Sequence, residues 1–116
     1  MQTFNADQVI PIVAELGSTH FKKRITAEDL KGQRRTKDLI ICRVVCTAIF
    51  LSSNVYTLTE IGAFMNRDHS TIINQRKSFR QSRGYADDFN FHLKSLFNNH
   101  VSPFFNLSLD KLYEII

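Results

Sequence analysis

Apolar residues recur at helical spacing along the chain while Gly and Pro stay sparse, a pattern that predicts an all-α protein of helices joined by short turns. In the first predicted helix Val9, Val13 and Leu16 share one face, and Pro11 must lie in the opening turn or bend it. Thr26 ahead of Glu28 and Asp29 reads as an N-cap with acids in the first turn, and Gly32 ends that short helix. Arg34 and Arg35 then fall in a loop. Thr36 is placed to cap a third helix to about Ser53, in which Leu39, Ile40, Ile41, Val44, Val45, Ala48, Ile49 and Leu51 are apolar nearly all round. This is the predicted central core helix. Its polar stripe, Thr36, Lys37, Arg43 and Thr47, projects Arg43 from the side that is not fully buried, while Cys42 and Cys46 read as small core residues.

Thr57 and Glu60 have the capping-box spacing and begin a short helix through Ile61, Gly62, Ala63 and Phe64. A turn at Met65, Asn66 and Arg67 follows. Asp68 can then cap a longer helix from His69 to about Arg83, with Ile72 and Phe79 facing inward and Ser70, Asn74, Lys77 and Gln81 facing out. A short helix, a tight turn and a longer helix with a polar face make a helix-turn-helix. In that motif the second helix presents its N-terminal side chains to the major groove, where short polar groups reach base edges.

Composition narrows the function classes. A chain of 116 residues is one domain's worth, so a second catalytic domain is excluded. Gly17, Gly32, Gly62 and Gly84 lie too far apart to write a Walker-type or dinucleotide-binding loop. Cys42 and Cys46 lack the second ligand pair of a structural zinc site and cannot form a secreted disulfide framework. No metal or cofactor is therefore expected, and a reducing, cytoplasmic setting is. The apolar run Leu39–Leu51, interrupted by Arg43, is too short to span a bilayer, so no membrane is expected.

Net charge is +4, and its distribution is uneven. Residues 22–43 carry eight Lys and Arg against three acids, and residues 67–83 carry five against one, whereas the remainder is acidic. Segregation of this kind suits a phosphate-binding surface, because neutralising each phosphate releases condensed counterions. An ordinary solvated face is the other reading of the same charges.

The run TLTEIGAFMNRDHSTIINQRKSF, with NRDHST its most specific part, resembles the signature of the C-terminal DNA-binding domain of the bacterial replication initiator DnaA. Upstream, RRTKDLIICRVVCTAIFLSS is similar to the basic loop and long central helix of that domain. The resemblance covers residues 5 to 95 and is sharpest over 57–79. It implies a small helical bundle and binding to a DnaA-box-like duplex. By position it implies major-groove base contacts for Asp68, His69 and Ser70, backbone contacts for Thr71 and Asn74, and a minor-groove arginine at Arg35, with Arg34 the alternative one position earlier. Lys37 and Arg43 match backbone-contacting arginines, and Lys77 belongs to the outward face of the same helix. Between Gly62 and Arg67 the chain is one residue shorter than the family pattern, with Met65 and Asn66 in place of the usual glycines. DnaA's ATPase and oligomerisation segments have no counterpart here, so the resemblance does not imply origin melting.

Each assignment has a plainer counterpart. Asp68 can serve as an N-cap alone, His69, Ser70 and Thr71 can be ordinary first-turn residues, and Arg43 can be a snorkelling surface arginine. Asp68, His69 and Ser70 cannot form a proton relay, because consecutive helical side chains point about 100° apart, and no enzyme is expected. The chain divides into a helix-turn-helix domain over 1–100 and an apolar extension over 101–116, carrying Phe104, Phe105, Leu109, Leu112, Tyr113, Ile115 and Ile116. That extension either packs on the domain or offers a surface for a protein partner or self-association. Two functions follow: sequence-specific binding of double-stranded DNA in replication initiation or its regulation, and a protein-interaction module on the same scaffold.

Overall fold

A computed structural model describes residues 4–116, and among these helices are the only regular elements. In chain order they are α1 (Ala6–Phe21), α2 (Ala27–Lys31), α3 (Lys37–Ser52), α4 (Leu58–Met65), α5 (His69–Gln81), α6 (Asp88–Leu96), α7 (Ser102–Phe105) and α8 (Leu109–Ile115). A π-helical turn, Phe97–Val101, joins α6 to α7. No described helix is long and apolar enough to cross a membrane.

α3 organises the fold. Thirteen of its sixteen residues are buried, which requires neighbours on every side. α1, α2, α4, α5, α6 and α8 all pack against it. α1 comes closest at Gly17, where an added Cβ would stand 2.5 Å from Cys42 Sγ. Cys42 and Cys46 are fully buried, as core residues should be, and burial pushes the Cys42 thiol up to about 12.

Two helix starts differ from expectation in detail. Pro11 lies inside α1, beyond its first turn and on the exposed face, so the Asp7 carbonyl it leaves without an intrahelical donor can turn to water. Thr36 occupies the N-cap position of α3 without making a cap bond; its hydroxyl donates instead to the Asp38 carboxylate, which Lys23 also approaches at 2.8 Å.

Residues 101–116 pack inward. Val101, Phe105, Leu109, Leu112 and Ile116 belong to the same buried cluster as α3. The Tyr113 ring lies 5.0 Å from that of Phe79, and its hydroxyl shares a 2.6 Å hydrogen bond with Ser82. Only Phe104 and Ile115 of the large apolar side chains there stay exposed. The chain crosses position 100 within the π-helical turn, so the extension continues the core.

Candidate nucleic-acid interface

The site begins at α2, a helix of five residues started by a reciprocal capping box. Thr26 Oγ1 accepts from the Asp29 N–H at 3.1 Å, and the Asp29 carboxylate accepts from the Thr26 N–H at 2.9 Å. A helix this short leaves most of its carbonyls without intrahelical donors. Here arginine side chains supply them. Arg43 Nε donates to Leu30 O at 2.8 Å, and its Nη2 donates to Asp29 O at 2.9 Å and Gly32 O at 3.1 Å. Arg67 donates to Lys31 O at 3.2 Å and also to Gly32 O, while Asn66 Nδ2 reaches Lys31 O at 3.3 Å. Cations at a helix C-terminus also oppose its negative dipole end.

This corrects the sequence expectation for Arg43. Its side chain does not project from an open face: the residue is 3 % exposed, and two of its nitrogens are committed to backbone carbonyls. It braces the loop that carries the basic residues. That loop leaves Arg34 and Arg35 exposed, Arg34 paired with Asp29 at 3.0 Å and Arg35 pointing to a groove.

The other wall is the helix-turn-helix. Thr57 and Glu60 form the expected capping box at the start of α4. At its end Asn66 adopts the left-handed conformation (φ 57°), the Asn66 N–H donates to Ala63 O and the Arg67 N–H donates to Gly62 O at 2.7 Å. This is a Schellman closure, and asparagine is among the few side-chain-bearing residues that enter that conformation cheaply. Gly62 is required for a different reason: a Cβ there would stand 2.5 Å from Arg67 O. The turn is thereby pressed onto α4, and α5 starts at a defined angle.

Asp68 sits at the N-cap position of α5, yet its carboxylate makes no cap bond, so capping does not occupy it. Asp68, His69, Ser70, Asn74 and Lys77 are exposed and Thr71 half-buried, while Ile72 and Phe79 anchor the opposite face in the core. A groove of ≈ 740 Å³ is lined by Arg35 and Gln33 from the basic loop, by the N-cap Asp68 and by Thr71 and Asn74 from α5. Arg43, Asn66 and Arg67 also border it. His69 and Ser70 are exposed next to Asp68 but do not line the groove. Nor does Lys37: its ammonium pairs with Asp88 of α6.

Three arginines, Arg35, Arg43 and Arg67, face one carboxylate, Asp68, in the lining of the groove. Among the described residues none of Arg35, Arg43 and Arg67 pairs with a carboxylate. Burial first, then the charges of Arg67 and Arg35, hold Arg43 below the usual arginine range; Arg67 is lowered by burial and by Arg35. The second basic stretch is more dispersed than its composition suggests. Arg76 and Arg80 donate to Ile116 O at 3.0 and 2.7 Å, and the Arg83 guanidinium lies 5.8 Å from the centre of the Tyr113 ring. Lys77 alone of that group stays exposed without such a partner among the described residues. Arg67 and Gln75, whose side chain bonds Thr47 of α3, were not singled out from the sequence. The only signal for Arg67 was its place between Gly62 and the N-cap.

A family model described as the bacterial dnaA protein helix-turn-helix matches residues 7–78. Comparison with curated proteins and with solved structures gives no match. With more than half its length matched, and with α4, its Schellman turn and α5 built as described, the chain belongs to the bacterial DnaA C-terminal helix-turn-helix family of DNA-binding domains.

Proposed function

We propose that the protein binds double-stranded DNA with sequence preference, in replication initiation or its regulation, by seating the α5 N-terminus in the major groove and Arg35 in the adjacent minor groove. One observation carries this reading: Arg35 lines the same groove as Asp68, Thr71 and Asn74, and all four side chains are free of structural hydrogen bonds among the described residues. Polar side chains left without partners on a rigid helix suit exchange of water for base edges and phosphates. Asp68, His69 and Ser70 read bases. Thr71, Asn74 and Lys77 hold the phosphate backbone. Lys37 contributes to the backbone only after giving up Asp88, and Arg43 acts by support.

Fluorescence anisotropy with a DnaA-box-like duplex and a scrambled duplex, each at two salt concentrations, tests the proposal. Expected are preference for the box-like duplex and a logarithmic salt slope of about −0.9 for each phosphate neutralised. His69→Ala should reduce that preference by about 1–3 kcal/mol, while Arg35→Ala should weaken binding to the preferred duplex. Equal binding to both duplexes, or none, would reject sequence-specific recognition. The alternative, a protein-interaction module using residues 101–116, has less to draw on because most of that segment's large apolar side chains are inside the core.

A further inference from the structure

Arg67 is unusual in where its donors go. It stands one residue before the N-cap of α5, yet its guanidinium reaches across to the end of α2, donating to Lys31 O and Gly32 O, while also donating to the Met65 and Asn66 carbonyls of its own turn at 3.3 and 3.0 Å. Gly32 O receives both Arg67 and Arg43, so one carbonyl is gripped from α3 and from the helix-turn-helix turn. Arg35 follows three residues later. The loop carrying it is therefore tied at its start to the turn that aims α5.

We propose that Arg67 is a positioning residue for duplex recognition, holding the α2 end against the α4–α5 turn so that Arg35 and the start of α5 keep one register. The role rests on the duplex-binding reading above. A minor-groove side chain and a major-groove helix must meet one duplex at a fixed separation, so a loop free to slide would forfeit part of the affinity to ordering. A planar fork can grip two carbonyls at once, whereas a lysine ammonium on the same stem is a point donor. Arg67→Lys therefore keeps the charge and loses the clasp.

The test is a double-mutant cycle on the full chain, measured by anisotropy well below the melting temperature of every variant. Arg67→Lys is expected to weaken box-duplex binding about tenfold, and Arg35→Ala to add less than about twofold in that background although it costs more alone. Multiplicative effects of the two changes would overturn the proposal. So would a salt slope reduced by about 0.9 in Arg67→Met and kept in Arg67→Lys with affinity retained, the pattern of a direct phosphate contact. Backbone order parameters from NMR relaxation in the free protein give an independent readout. Residues 33–36 should fall from the rigid range of about 0.85 toward 0.6 in Arg67→Lys, with α3 unchanged. Unchanged loop order would also overturn it. If the unaltered protein shows no duplex preference, the duplex reading fails by itself, and the order parameters still decide whether the clasp exists.

Discussion

Arg43→Lys separates a brace from a phosphate contact, because the two roles respond to the change in opposite ways. A lysine preserves the charge that a phosphate contact needs and loses the fork that a brace needs. In the native protein three carbonyls accept from this guanidinium at 2.8, 2.9 and 3.1 Å. One ammonium on that stem can keep one of them. Two of the acceptors retain other donors, Gly32 O from Arg67 and Asp29 O from the Gly32 N–H, so the loss is that of two bonds at about 1–1.5 kcal/mol each, or roughly 2–3 kcal/mol. For a domain of this size about 1 kcal/mol moves the melting temperature by about 4 °C, which places the expected drop at roughly 8–12 °C. Calorimetry gives the temperature, and anisotropy at a temperature where the variant is folded gives the affinity. A melting temperature within about 2 °C of the native value, together with a large loss of duplex affinity, would refute the brace and restore a direct backbone contact.

Three further outcomes are expected. Gly62→Ala must move the turn, because its Cβ would meet Arg67 O at 2.5 Å; a loss of about 1–3 kcal/mol is expected in denaturant unfolding, with weaker duplex binding besides, and an unchanged midpoint would contradict the close approach. His20 sits against His92, at 3.2 Å between ring nitrogens, and His100, with Asp88 beside His92 at 3.5 Å; burial, then those two histidines, lower its pKa. A depressed histidine favours the folded state fully above the ordinary value near 6.5, and that contribution is lost as pH falls through the lower folded value, so the melting temperature should decline on acidification below pH 6.5, less steeply in His20→Gln. With Cys42 raised to about 12 and Cys46 also raised by burial, iodoacetamide at pH 8 should label neither thiol until the protein is unfolded; prompt labelling of the native protein would contradict their burial.

The helix-turn-helix was legible because its cues are local. The Thr57–Glu60 box lies within four residues, and the inward pair Ile72 and Phe79 lies on one helix. The burial of Arg43 was not legible for the converse reason. The carbonyls it serves come from α2, eleven to fourteen residues earlier, and no pattern within α3 announces them. The reach of Arg67 to the end of α2 left no sequence signal because its acceptors lie about 35 residues away. Residues 101–116 displayed an apolar face but not the surface it meets, which is built from α3, Phe4 and Phe79. Charge composition misled most in the second basic stretch, where Arg76, Arg80 and Arg83 turn toward α8.

The family match stops at residue 78, yet Phe79, Leu93, Leu96, Phe97 and Leu112 are buried with the residues before it. A fragment cut where the match ends would bare the flanks of α3 and lose the partners of Arg76. Anyone grafting this helix-turn-helix onto another scaffold must therefore carry the last third of the chain along with it.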